Sequence, residues 1–483
     1  MLFSKSMKNF NFRSEIDDQI QSGDLDGALK YIEHIVDYVF CEPLNTAQIF
    51  GDRSLDEFCE KIGSYSIGVL KARQDFGCDL PMGGNVIVAS KLQASGGHTA
   101  VLADIACRMK GPVTIIITGV VGRTDINVVR HIFGNVQDLK FLRVPPGNRL
   151  SKLQWIQACL WKISPKVVWL ANHHQDSVAV SAVQPGQSYI LKYLHHGDHH
   201  LCLGVHLSFG EHYDLHSMGF WNCRDELKKN NKYLPLIVED PGCMSSGVDE
   251  INFWNVISCT AASKNKVEHN YWPNYAETIA DVLSVTGGVH FHVGRLSWFY
   301  RQRINRALAK KGVPINAFEY IAYVPSVARF LQERKVNLYI ASFPYAGART
   351  SVEAMAAGVA IAGHDHSSKK FLGAVDMLPP GSFVWTRPDQ LMDFLSKTDR
   401  ARLHLLGGKA RQHYENYHFP EKLLNALSDG VSECGFPQKP LKSPVDELNA
   451  ALLRADQFSL VGLLGRKGLR CFRAFKSSLS RFV

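Results

Sequence analysis

Hydrophobic positions change their spacing along this 483-residue chain, and the changes divide it into residues 1–80, 81–240, 241–432 and 433–483. Over 14–80 the apolar positions fall at helical intervals. "SGDLDGALKYIEHIVDYVF" sets Leu25, Ala28, Leu29, Ile32, Ile35 and Val36 on one stripe, with Ser22 or Asp24 as cap. The stripe resembles one tetratricopeptide helix. No repeat at the period of about 34 residues follows it, so the region reads as a plain helical appendage.

From Gly83 short β-branched runs alternate with helical stretches: "NVIVAS" (85–90), "VTIIITGV" (113–120), "LKFLRV" (139–144), "KVVWLAN" (166–172) and "SYILKYL" (188–194). A second series starts near Asn252, with "FWNVISCT", "VHFHVG", "FEYIAYV", "NLYIAS" and "VAIAG" separated by amphipathic stretches. Strand and helix in alternation are the sequence form of βαβ units and a parallel sheet. The fold class expected is therefore α/β, with two successive parallel-sheet lobes and a cleft between them. Ligands of such sheets lie at the carboxyl ends of the strands.

Composition adds bounds. Apolar residues make up 46% and charged residues 20%, which suits large buried cores and excludes wholesale disorder. No run approaches about 18 apolar residues, and the N-terminus turns acidic at once, so neither a spanning helix nor a signal peptide is expected. The 11 cysteines are scattered without a C-x-x-C pair and read as reduced thiols of a cytoplasmic protein. The net charge of +9 gathers at the end of the chain. In "FSLVGLLGRKGLRCFRAFKSSLSRFV" apolar residues recur every three or four positions, with Arg and Lys between them and no acid after Asp456. Residues 457–483 read as a basic amphipathic helix suited to an anionic membrane surface, the alternative being a helix docked on its own domain. Basic charge confined to a tail, with no aromatic–basic surface motif, speaks against a nucleic-acid partner.

Four loops carry candidate chemistry. In "NLYIASFPYAGARTSVEAMAAGVAIAGHD" (337–365), Thr350-x-x-Glu353 fits a capping box, a purely structural reading. That reading leaves Gly347 and Arg349 unexplained, and a glycine and a cation at a helix N-terminus also hold a diphosphate. After the first strand of the first lobe, Gly96 and Gly97 permit a close approach and His98 opens the next helix. "YILKYLHHGDHHLCLG" offers His195, His196, His199 and His200, whose spacing raises a metal site. The firmer reading is an acid–base pair of Asp198 and His199 on a cleft loop, so no metal is expected. Ser263, Lys264 and Lys266 follow the first strand of the second lobe and could meet phosphate oxygens from the opposite side.

With these residues in view, the chain resembles the GT-B glycosyltransferases across about residues 83–430. Within them it is most similar to the O-GlcNAc-transferase-like and bacterial group, in which a Phe-Pro-x-x-Gly-x-x-Thr loop opens the helix that holds the donor diphosphate. "SFPYAGARTSVEAMAAGVAIAG" is the specific part of the likeness. The resemblance implies that Gly347, Arg349, Thr350 and Ser351 bind diphosphate oxygens. It implies that Glu353 holds the ribose hydroxyls, that Lys266 neutralises the leaving group, and that His98, Asp198 and His199 lie at the transfer centre. It further implies a nucleotide sugar, UDP-sugar favoured, as donor substrate, with no cofactor and no metal, and a glycan, lipid-linked or protein acceptor. Two departures stand out: Ala348-Arg349-Thr350 replaces a His-Thr-Thr set, and the long repeat array is absent. An epimerase of the same fold and a non-catalytic scaffold are the alternatives.

Overall fold

The computed structural model describes residues 12–42, 45–71, 82–93, 97–242, 256–366, 373–428 and 447–457. The basic tail after Gln457, residues 429–446 and Gly96 lie outside the described residues.

Two parallel sheets form the frame. In the first, strands β1 (Asn85–Ala89), β2 (Val113–Ile117), β3 (Leu139–Arg143), β4 (Val167–Ala171), β5 (Ile190–His195), β6 (Glu211–Asp214) and β7 (Asn231–Tyr233) run in the order β3-β2-β1-β4-β5-β6-β7. In the second, β8 (Ile257–Ala261), β9 (Val289–Val293), β10 (Phe318–Ile321), β11 (Leu338–Ile340), β12 (Ala360–His364) and β13 (Phe383–Trp385) run in the order β10-β9-β8-β11-β12-β13. The central strands are Val/Ile-rich and buried on both faces, as a sheet sandwiched between helix layers requires. Strand order reverses beside β1 and again beside β8. At β1 the register sets Ala89 level with Ile117 and Ala171, so several carboxyl ends open onto one rim. Among the described residues no helix is long and apolar enough to cross a membrane.

The strands read from the alternating pattern are all present, with ends displaced by a few residues. β6 ("EHYD"), β7 ("NKY") and β13 ("FVW") were not expected from sequence, because strands of three or four residues with polar content carry no period.

The N-terminal region departs from expectation more fully. Helices Phe12–Gln21, Leu25–Phe40 and Arg53–Lys71 are not an appendage. The stripe of Leu29, Ile32 and Val36 joins Val86, Val88, Val168 and Leu170 of the first sheet in one apolar cluster. Asp24 does cap the second helix, accepting from Gly27 N at 2.9 Å. The helix Leu448–Gln457 returns from the far end of the chain to the same cluster, and Asn45 Nδ2 donates to Ala451 O at 3.1 Å.

Asp56, buried on the third helix, ties this layer to the loop after β5. Its carboxylate accepts from Gly204 N at 2.6 Å and His206 N at 2.7 Å. Gly204 holds a φ of +99°, and a Cβ there would press on the Tyr193 ring, so only glycine presents its N–H in this way. Removing the carboxylate leaves two buried N–H groups unpaired. Asp56→Ala should lower stability by about 1–3 kcal/mol, read as a fall in the urea midpoint. An unchanged midpoint would show that the N-terminal helices are not held through this residue.

Candidate active site

The helix of the second lobe's signature loop begins at Ala348, earlier than the capping box predicted. Gly347 is the N-cap, with no side-chain hydrogen bond to the first turn. Thr350 is therefore the third residue inside the helix. Its hydroxyl donates backward to Gly347 O at 2.9 Å, and Ser351 Oγ donates to the same carbonyl at 3.0 Å. The capping-box expectation fails because a Thr already inside the helix cannot reach N–H groups ahead of it. The consequence is a first turn whose N–H groups carry no side-chain cap, at the positive end of the helix.

Lys266 stands at that end. It lies on the short helix Lys264–Val267 after β8, and its ammonium donates to Ala346 O at 2.8 Å. A Cβ on Gly347 would overlap Thr350 Oγ1 and lie 3.4 Å from Lys266 Nζ, so the glycine leaves room between cation and helix. Enclosure lowers the Lys266 pKa to about 8, since a buried ammonium loses hydration. Ser263 and Lys264 are exposed and do not share this position.

Arg349 does something else. Its Nη1 donates to Asp104 Oδ2 at 2.6 Å and to Ile237 O at 2.8 Å, both in the first lobe. Asp104 belongs to the helix Gly97–Ala106 that starts beside His98. In this structure the guanidinium bridges the two lobes through Nη1, a partner set that the diphosphate expectation did not include. Glu353, one turn along, is pushed up in pKa by burial and pulled back by Arg349.

Across the cleft the first lobe presents imidazoles from the carboxyl ends of adjacent strands. His98 follows β1, His173 follows β4, and His196 follows β5. The rings of His98 and His196 are 3.8 Å apart, and those of His98 and His173 5.2 Å apart. Burial and the neighbouring His173 push His98 down to about 3, so it is neutral at physiological pH. Both its ring nitrogens are buried without a hydrogen-bond partner among the described residues. His174 and His200 extend the row, with Phe40 of the N-terminal helices 4.5 and 4.7 Å from them.

The Asp198–His199 pair is only partly assembled. His199 Nδ1 is 3.8 Å from Asp198 Oδ1, and the His199 side chain is 33% exposed. Burial lowers its pKa, Asp198 raises it, and His216 and Lys266 lower it further. That last influence places His199 within electrostatic range of Lys266, across the lobes. Asp198 itself is fully buried and accepts from His216 N at 2.9 Å, where the helix Ser217–Asp225 begins. Its Oδ2 is thereby tied to the loop backbone, while Oδ1 is the oxygen that lies toward His199. Asp376 of the second lobe accepts from Met218 N at 3.0 Å on the same helix end. The four histidines that raised a metal site do not converge: His196 meets His98, His199 faces the cleft, His200 lies by Thr46, and His195 turns to the opposite side.

Sequence reasoning missed His173, His196 as a partner of His98, and Asp104. "NHHQD" ends the fourth strand, so the carboxyl-end rule, applied to that strand as it was to the first, would have found His173. Nothing local marks Asp104, whose partner is 245 residues away.

No protein-family model matches the chain, and no curated protein does. Solved structures do match. A glycosyltransferase from Rickettsia africae aligns over 72% of this chain and 97% of its own, at 12% identity and a TM-score of 0.52. HepE of Anabaena, in complex with UDP and glucose, covers 72% of this chain and 99% of its own, at 11% identity and a TM-score of 0.53. TarM covers 72% and 98%, at 9% identity and a TM-score of 0.52. What is shared at these identities is the arrangement of two parallel-sheet lobes: the chain has the GT-B fold that these glycosyltransferases share.

Proposed function

We propose that the protein is a glycosyltransferase that moves a sugar from a nucleoside-diphosphate donor, UDP-sugar favoured, to an acceptor bound against the first lobe. The observation that carries this reading is the uncapped first turn at Ala348 with the Lys266 ammonium beside it, facing the imidazole row. HepE, similar in fold, was crystallised with UDP-glucose, which supports a UDP-sugar as donor. Sugar transfer leaves charge on a departing diphosphate. N–H groups of the first turn and Lys266 offset that charge without a catalytic metal, because they are already aimed at one place. Glu353 remains the assigned partner of the ribose hydroxyls. His199 is the assigned base: it is neutral at pH 7, exposed to the cleft, and held by a loop that Asp198 anchors. His98, deeper and far less basic, packs against the acceptor side. The acceptor is a glycan, a lipid-linked sugar or a protein.

Thermal unfolding with UDP, GDP, ADP and CMP tests the donor assignment. A nucleotide that binds only the folded chain raises stability by about 2.7 kcal/mol at a hundredfold excess over its Kd. One nucleotide should shift the midpoint, and Lys266→Ala should abolish the shift. No shift with any nucleotide would overturn the proposal.

The pH profile of kcat/KM should be bell-shaped. The depressed pKa of His199 puts the acidic limb below 6.5, where the base becomes protonated. The basic limb should fall near pH 8, as Lys266 loses its proton in the free enzyme. Lys266→Arg, which keeps its charge, should remove the basic limb. A basic limb unmoved in that variant would assign it to another group.

We assign the tail at 457–483, on its sequence alone, to an anionic membrane surface on the cytoplasmic side. Deleting it should abolish sedimentation with phosphatidylserine vesicles; equal sedimentation would refute the assignment.

A further inference from the structure

His195, the last residue of β5, ends in a fully buried group of four side chains. His195 from β5, His212 and Asp214 from β6, and Cys223 from the helix Ser217–Asp225 bring one donor atom each within 4.8 Å of one another. His195 Nδ1 is 2.8 Å and His212 Nε2 3.2 Å from the same oxygen, Asp214 Oδ1. Cys223 Sγ is 3.5 Å from His195 Nδ1. The second carboxylate oxygen already accepts from Asn231 Nδ2. Two imidazoles therefore crowd one carboxylate oxygen, and the thiol also reaches Asp214. A single cation at their centre would serve all four.

We propose that His195, His212, Asp214 and Cys223 form a structural Zn2+ site that joins β5, β6 and the helix Ser217–Asp225. The donor set, one thiolate, two imidazoles and one carboxylate, is the mixed S/N/O set zinc accepts in tetrahedral geometry. Bonds of about 2.0–2.3 Å separate tetrahedral donors by roughly 3.3–3.7 Å, close to the spacings found. The charges balance: Asp214 and a Cys223 thiolate neutralise the divalent ion, which a site without solvent requires. On binding, the thiol proton leaves to solvent. The ring protons of His195 and His212 move to Nε2 and Nδ1, buried atoms that have no hydrogen-bond partner among the described residues. All four positions are protein ligands, so the ion has no open place for a substrate and the site stands apart from the sugar-transfer reading. Its mechanical effect would reach the cleft, because β5 runs directly into His196 and His199.

The test uses the full chain, purified without chelator. Elemental analysis should find about one zinc per chain, and replacement by Co2+ should give a thiolate-to-cobalt absorption band. Cys223→Ser should lose the band and most of the metal. The cleft histidines, with Cys202 beside His174, would also take up cobalt, but any band from that group would not depend on Cys223. Should Cys223→Ser fail to fold, His212→Gln offers the second variant, expected to retain the band with weakened metal affinity. Native protein free of zinc, with no cobalt–thiolate band on titration, would overturn the proposal. So would a band that persists in Cys223→Ser.

Discussion

A stretch of irregular backbone, Leu234–Val238, is buried between the two lobes, and its carbonyls have no strand to pair with. Buried carbonyls without donors are costly, so the second lobe supplies the donors from side chains. Arg349 donates to Ile237 O, Tyr414 to Val238 O, and His418 to Leu236 O. Arg411 closes the run with a two-pronged pair to Asp240, at 2.7 and 2.8 Å, and a bond to Ala356 O. Three of these residues lie on two helices of the second lobe and His418 caps the end of one; the other, which carries Arg349, is the proposed diphosphate helix. The segment thereby fixes where the first turn of that helix points. Apolar contact continues through the same place, from Ile237 and Val238 to Val352, Met355 and Tyr414. The helix N-terminus and the imidazole row therefore face each other across a seam that is already packed.

That seam explains why the most conspicuous cation of the signature loop is not free for an anion. A guanidinium is planar, always charged and able to serve two acceptors at once, which makes it the natural partner of a carboxylate and a carbonyl from another lobe. A lysine is better suited to the other task. Its ammonium is a compact charge, and enclosure lowers its pKa, so it gains most when an anion arrives. The division of labour between Arg349 and Lys266 follows from these differences.

The parallel sheets were legible because their strands are buried on both faces and read as unbroken Val/Ile runs. Their edges were not legible: "NKY" and "FVW" are too short to show a period. Gly347 and Lys266, assigned here to the proposed diphosphate site, were singled out from local spacing, since each sits on a loop directly after a strand. The interlobe bonds of Arg349 were not legible, because its partners Asp104 and Ile237 are remote in sequence and no local pattern announces them. The N-terminal helices were read correctly as helices and wrongly as a separate piece. An amphipathic stripe states that a face is buried, not against what.

Asp198 and His195 carry the same lesson into chemistry. Both stand in "HHGDHH", and proximity in sequence suggested shared work. The geometry separates them by direction. As the last residue of β5, His195 alternates to the face that meets β6 and Cys223, while His196 falls on the opposite side, against His98. Asp198 turns inward to the N-terminus of the next helix, leaving His199 as the member of the group that looks into the cleft. A run of six polar residues thus serves three environments, and a strand's period of two, more than the identity of the residues, decides which of them can touch a substrate.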